Sequence, residues 1–132
     1  MLRYTVGLKL NEVVNRIDDF SEQRDWGQFH TLKNLVSSIC IEASEMLECF
    51  QWIDPSKQDV LNDRNLDSQI QQEIADVLIY ALRLCSILDY DPIKLILTKL
   101  ELNDEKYPVQ LSKGSSAKYN QIKKGDNVEA EE

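Results

Sequence analysis

Two helix-spaced pairs of carboxylates, Glu42 with Glu45 and Glu73 with Asp76, constrain the fold of this chain more than any other feature. At 3.6 residues per turn, Leu32, Leu35, Val36, Ile39, Ala43, Met46, Leu47 and Phe50 form one broad apolar stripe with Glu42 on its edge. Glu45 projects roughly 60° further round, yet Ser38, Ile41 and Cys49 lie beside it where a solvent face would carry charge. The next segment repeats the pattern. Ile70, Ile74, Val77, Leu78, Ala81, Cys85 and Leu88 make the stripe, Glu73 its edge, and Ile79, Tyr80 and Ile87 flank Asp76. An uncompensated carboxylate in apolar surroundings takes up a proton, and four together repel one another. A hard divalent cation, Mg²⁺ or in its place Mn²⁺, resolves both problems because it prefers carboxylate and water oxygens. Two helices packed antiparallel would bring the pairs face to face.

A single E-x-x-E pair is ordinarily a solvated helix face. Here two consecutive helices carry the pair at the same angle to the stripe. No Lys or Arg lies three or four residues from Glu42 or Glu45 to make an ordinary surface ion pair.

The rest of the chain also reads as helix, so the expectation is an all-α, four-helix bundle-like fold. Leu10, Val13, Val14, Ile17 and Phe20 recur at helical spacing between Thr5 and Arg24, and Arg24-Asp25-Trp26-Gly27 ends that helix. Thr31 can cap the second, which runs to about Gln51 before a polar loop reaching about Leu66. Asp67 or Ser68 can cap the third, ending near Leu88. Asp91-Pro92 starts a fourth, carrying Ile93, Leu95, Ile96, Leu97, Leu100 and Leu102 and stopping near Tyr107-Pro108. Residues 1–110 are expected to form one domain. Residues 111–132 form a tail whose acidic end, Asp126 to Glu132, has the composition of a disordered segment.

A chain of 132 residues has too little surface to bury four amphipathic helices completely, which favours self-association. Its net charge of -8 argues against a binder of nucleic acid polymers or anionic membranes. Cys40, Cys49 and Cys85 are odd in number and fall within helical patterns, as buried, reduced thiols of an intracellular protein do. No signal-peptide pattern is present, and the best apolar stretch is interrupted by Arg83. A cytoplasmic protein is expected.

Lys99, Asn103 and Lys106, spaced i, i+4 and i+7, share one face of the fourth helix. That face either binds anionic oxygens or is simply solvated. Trp26 and Trp52, each next to polar or glycine residues, either stack on a base or pack against helices. His30, the sole histidine, can cap, pack or touch a ligand, and nothing supports a hydrolase triad.

Glu42-Ala43-Ser44-Glu45 followed by Glu73-Ile74-Ala75-Asp76 resembles the E-x-x-E and E-x-x-D signature of the MazG-type all-α nucleoside triphosphate pyrophosphohydrolases. Arg24-Asp25-Trp26, Gln28-Phe29-His30, Asn34-Leu35, Phe50-Gln51-Trp52, the run from Asp76 to Tyr80, Asn103, Tyr107-Pro108 and the run from Gly114 to Tyr119 resemble its dCTP pyrophosphatase branch. The likeness covers about residues 5 to 120. It implies a Mg²⁺-dependent hydrolase of nucleotide-pool house-cleaning that cuts between the α- and β-phosphates of a dNTP, releasing monophosphate and pyrophosphate. By similarity Glu42, Glu45, Glu73 and Asp76 hold the metal. Trp26, His30, Trp52 and Tyr80 line the nucleoside pocket, and Lys99, Asn103 and Lys106 contact phosphate. It also implies a homodimer or a dimer of dimers, with sites completed across subunits. Ile17 stands where the animal dCTP enzyme carries a pocket histidine, which leaves the preferred base open, as well as whether modified cytosines are favoured. The alternatives are a pyrophosphohydrolase for dUTP or phosphoribosyl-ATP, or a non-enzymatic helical interaction protein.

Overall fold

The structure, a computed structural model, describes residues 7–121. Among them every regular element is helical: α1 (Leu10–Glu22), a 3₁₀ turn (Trp26–Gln28), α2 (Leu32–Glu48), α3 (Lys57–Asn62), α4 (Arg64–Ile87), α5 (Pro92–Lys106) and α6 (Val109–Ser112). Of the described residues, those up to Asp91 form one compact unit and those from Pro92 onward a second. The acidic segment Asp126 to Glu132 lies outside the described residues, as does Thr5.

In the first unit α4 is the spine. Its 24 residues span roughly 36 Å at 1.5 Å per residue, and α1, α2 and α3 all pack on it, α2 most extensively. α2 and α4 run antiparallel: the start of α2 lies by Arg83, whose Nε reaches His30, while Glu42 further along α2 meets Glu73 and Asp76 earlier in α4. Thr31 caps α2 as expected, its hydroxyl accepting the Asn34 N–H at 3.2 Å.

Several boundaries differ from the sequence expectation, beginning with α1, which starts at Leu10 and ends at Glu22. The stretch after α2 is not an unbroken loop, because Ser56 and Asp59 close a capping box around α3. The Ser56 N–H donates to Asp59 Oδ2 at 2.9 Å, and the Asp59 N–H to Ser56 Oγ at 3.3 Å. This S-x-x-D signal opens only six residues of helix, too few to show a periodicity. α4 begins at Arg64 rather than after Asp67 or Ser68, because Asp63 accepts the N–H groups of Asn65 and Leu66 at 3.0 and 3.1 Å. The cap, not the apolar stripe, sets that start. α2 also stops at Glu48, short of Gln51.

Leu35, 1% exposed, is the sole fully buried apolar side chain among the described residues. Leu32, Val36, Leu47, Ile74 and Leu78 on the α2 and α4 stripes are all exposed, Leu47 at 69%. The cysteines also depart from expectation: Cys40 is exposed and Cys49 and Cys85 are half-buried. Cys40 lies about 140° round α2 from Leu35, outside the strip α4 covers. In the second unit, Tyr119 packs edge-on against Tyr107 at 6.2 Å and carries the Lys106 ammonium 5.5 Å from its ring centre. No helix among the described residues is long and apolar enough to cross a membrane.

Candidate active site

The turn between α1 and α2 builds an aromatic corner. Asp25 adopts a left-handed backbone, φ 52°, which Asp tolerates better than most side chains. Gln28 braces it, its Nε2 donating to Asp25 Oδ2 at 2.9 Å and to the Asp25 carbonyl at 3.0 Å. Trp26 is thereby set edge-on to Phe20 (5.6 Å between ring centres) and to His30 (6.3 Å). The Arg24 guanidinium covers the Phe20 ring at 3.6 Å. Asn34 Nδ2 donates to the Phe29 carbonyl at 2.9 Å, tying the residue before His30 to the first turn of α2.

Beside this corner lies a cavity of about 490 Å³, lined by Val13, Arg16, Ile17, Phe20, Ser21, Trp26, His30, Asp76, Ile79, Tyr80 and Arg83. Most of its wall is aliphatic or aromatic, the character of a pocket that takes a flat organic group. Asp76 belongs also to a second cluster. Glu42, Glu73 and Asp76, all half-buried, each offer a carboxylate oxygen such that the three oxygens lie within 4.8 Å of one another. The Glu73 Oε2 is buried with no hydrogen-bond partner. Burial, then the neighbouring charges of Glu45, Asp76 and Glu73, push the Glu42 carboxyl above its ordinary pKa. Close carboxylates, an orphaned buried oxygen and hard oxygen donors alone fit a divalent cation better than a hydrogen-bonded network. Glu45 is exposed and lies outside this tight triad. It lines a smaller cavity of about 290 Å³ with Glu48, Cys49, Gln69 and Glu73.

The structure thus gathers seven of the eleven residues singled out from the sequence: Glu42, Glu73 and Asp76 in the triad, Glu45 at its margin, and Trp26, His30 and Tyr80 around the cavity. Trp52, 87% exposed, is not part of the cavity wall. Lys99, Asn103 and Lys106 belong to the second unit, on α5 from its middle to its last residue. Sequence reasoning missed Asp18 and Arg83. Arg83 is 8% exposed and paired with Asp18 at 2.6 Å. Its one signal was a lone charge inside the apolar run of α4. Burial, and then the charge of Arg83, lowers the pKa of His30.

Comparison with known proteins gives a consistent set of relatives. Residues 37–122 match the MazG-like family. The dCTP pyrophosphatase 1 of Rattus norvegicus is 34% identical over 116 residues, covering 86% of this chain and 67% of the relative. That of Homo sapiens is 34% identical over 110 residues, 81% of this chain and 64% of the relative. The chain therefore spans about two thirds of the length of the curated relatives it matches. A crystal structure of a pyrophosphatase from Archaeoglobus fulgidus is 37% identical and superposes with a TM-score of 0.69 over 80% of this chain and 97% of that one.

Proposed function

Because the chain belongs to the MazG-like family, we propose that it is a nucleoside triphosphate pyrophosphohydrolase, converting a dNTP and water to the monophosphate and pyrophosphate. Its leading substrate is dCTP or a modified dCTP, by similarity to relatives named for dCTP. The observation that carries this reading is Asp76, which belongs at once to the carboxylate triad and to the wall of the apolar cavity. A nucleotide with its base in the cavity would extend its phosphates toward the carboxylates.

Glu42, Glu73 and Asp76, with Glu45 beside them, would hold Mg²⁺, for which Mn²⁺ can substitute. Bound there, the ion supplies charge neutralisation for the phosphoryl oxygens and acidifies water. The protein's own groups do the rest. Ile17, Phe20, Trp26 and Tyr80 enclose the base and keep water from it, with Trp26 and Tyr80 offering ring faces for stacking. Glu45, exposed and outside the tight triad, has the freedom to accept the proton of the attacking water. By the family resemblance alone, Lys99, Asn103 and Lys106 are proposed as phosphate contacts and Trp52 as a further stacking surface. The exposed α2 and α4 stripe, Leu32, Val36, Leu47, Ile74 and Leu78, is covered by a second copy of the chain in a homodimer or homotetramer. Nucleotide-pool cleansing in the cytoplasm follows from the same reading.

The test is pyrophosphate release from each dNTP and NTP, with Mg²⁺ and with chelator, for the wild type, Glu45→Gln and Asp76→Asn. Metal-dependent release led by dCTP, lost by orders of magnitude in both folded variants, is expected. Release unchanged by chelator, or near-wild-type turnover in either variant, would overturn the site assignment.

A further inference from the structure

Arg83 is the one buried charged side chain among the described residues, and it lines a largely apolar cavity. Burying a guanidinium is costly unless its donors are met, and here two partners take two of its five N–H groups. Its NH1 donates to Asp18 Oδ1 at 2.6 Å, and its Nε donates to His30 Nδ1 at 3.3 Å. Asp18 is held in turn, its Oδ2 accepting the Ser86 hydroxyl at 2.5 Å. The pair thus ties α1 to α4 and reaches across to the residue before the α2 cap.

The contact to His30 fixes more than position. An arginine side chain only donates and stays protonated in proteins, so the ring nitrogen facing it must offer a lone pair. Nδ1 therefore carries no proton, and the neutral imidazole carries its proton on Nε2. Burial and the adjacent guanidinium both oppose adding a second proton. Of the two ring nitrogens, the one left for a ligand is a donor. The cavity wall is apolar at Val13, Ile17, Phe20, Trp26 and Ile79 and polar at Arg16, Ser21, Asp76, Tyr80 and Arg83 besides His30, and a His30 donor set among them can orient a flat base.

We propose that Arg83, anchored by Asp18 and Ser86, is a positioning residue that locks His30 as an Nε2–H donor to an acceptor on the nucleobase edge. This rests on the cavity taking the nucleoside end of the substrate. A ring nitrogen or carbonyl oxygen on the base edge is matched by the donor. An amino group or ring N–H presented at the same place meets a second donor and is rejected, because a buried unmatched polar group costs more than a hydrogen bond gains.

The sequence holds one histidine, so a long-range ¹H–¹⁵N spectrum of the full chain reads His30 alone. The wild type should show a pyridine-type Nδ1 and a pyrrole-type Nε2, and adding dCMP without metal should shift Nε2 and its proton. Arg83→Met should give a mixture of tautomers and bind dCMP about tenfold more weakly, the size of one lost or mismatched hydrogen bond. In turnover, KM should rise with kcat retained, and Arg83→Lys, which keeps a cationic donor, should recover part of the affinity. A wild-type Nδ1–H tautomer, or an Arg83→Met tautomer identical to wild type, overturns the proposal, and the wild-type spectrum decides even if the variant does not fold. If dCMP binds but its affinity ignores Arg83, the proposal fails while the nucleoside pocket stands. If none of dCMP, dUMP, dTMP, dAMP or dGMP binds a correctly tautomeric wild type, the pocket reading fails and takes the proposal with it.

Discussion

Replacing Glu73 with Gln should stabilise the metal-free protein, an unusual outcome for a partly buried side chain. The oxygens of Glu42, Glu73 and Asp76 lie within 4.8 Å of one another. Two unit charges at that separation repel by roughly 0.9 kcal/mol in water and roughly 3.5 kcal/mol at an effective dielectric constant of about 20. All three groups are half-buried, so water screens them and the low end applies. Removing the Glu73 charge relieves two such repulsions, and the substituted amide still places a polar atom where Oε2 lacks a partner, which offsets part of the gain. The expected net is about 1–2 kcal/mol, a rise in Tm of roughly 5 °C for a chain of this size. Divalent cations should reverse the order: a ligand at a hundred times its Kd stabilises by about 2.7 kcal/mol, and the variant has lost one ligand. Thermal unfolding of both proteins at one fixed protein concentration, in chelator and in excess Mg²⁺, tests this. A Glu73→Gln variant that melts several degrees below wild type in chelator, or that keeps the full Mg²⁺ shift, would refute the reasoning.

Other consequences follow from single features. Leu35→Ala removes the one fully buried apolar side chain among the described residues and should cost about 2–5 kcal/mol while leaving the Mg²⁺-induced Tm shift in place; denaturant titration giving under about 1 kcal/mol would contradict that. Because the folded pKa of Glu42 lies above its ordinary value, the native state holds more protons than the unfolded chain between the two. Metal-free stability should therefore fall as pH rises from the ordinary Glu range through the raised value, and a pH series of melts in chelator showing the opposite slope would exclude it. Leu78→Glu places a charge on the exposed stripe and should lower the oligomeric state in sedimentation; an unchanged assembly would remove that face from the interface.

The helices that mattered for chemistry were legible because their apolar stripes run for several turns. The phase of Glu42, Glu73 and Asp76 relative to those stripes anticipated the triad, and Thr31 and Pro92 marked helix starts through local capping chemistry. Short or cap-determined features were not legible by periodicity. α3 depends on a reciprocal Ser56–Asp59 cap and α4 on Asp63, and neither shifts the apolar pattern. The link from Asp18 to Arg83 to His30 joins residues 65 and 53 positions apart. No spacing rule connects them, and Arg83 registered only as a charge interrupting an apolar run. Trp26 and Trp52 look alike in sequence, each beside polar neighbours. A left-handed Asp25 and the Phe20 ring direct Trp26 to the cavity, whereas Trp52 follows the last turn of α2 with nothing to bury it. The breadth of the α2 stripe was visible, but periodicity does not say which part of it α4 covers.

The most direct measurement of the central claim is ³¹P spectroscopy of dCTP incubated with the purified protein, in Mg²⁺ and in excess chelator. Cleavage at a site built from Glu42, Glu73 and Asp76 gives dCMP and pyrophosphate in equal amounts with Mg²⁺, and intact dCTP with chelator. Formation of dCDP and orthophosphate, or intact dCTP and every other dNTP in the presence of Mg²⁺, would contradict it.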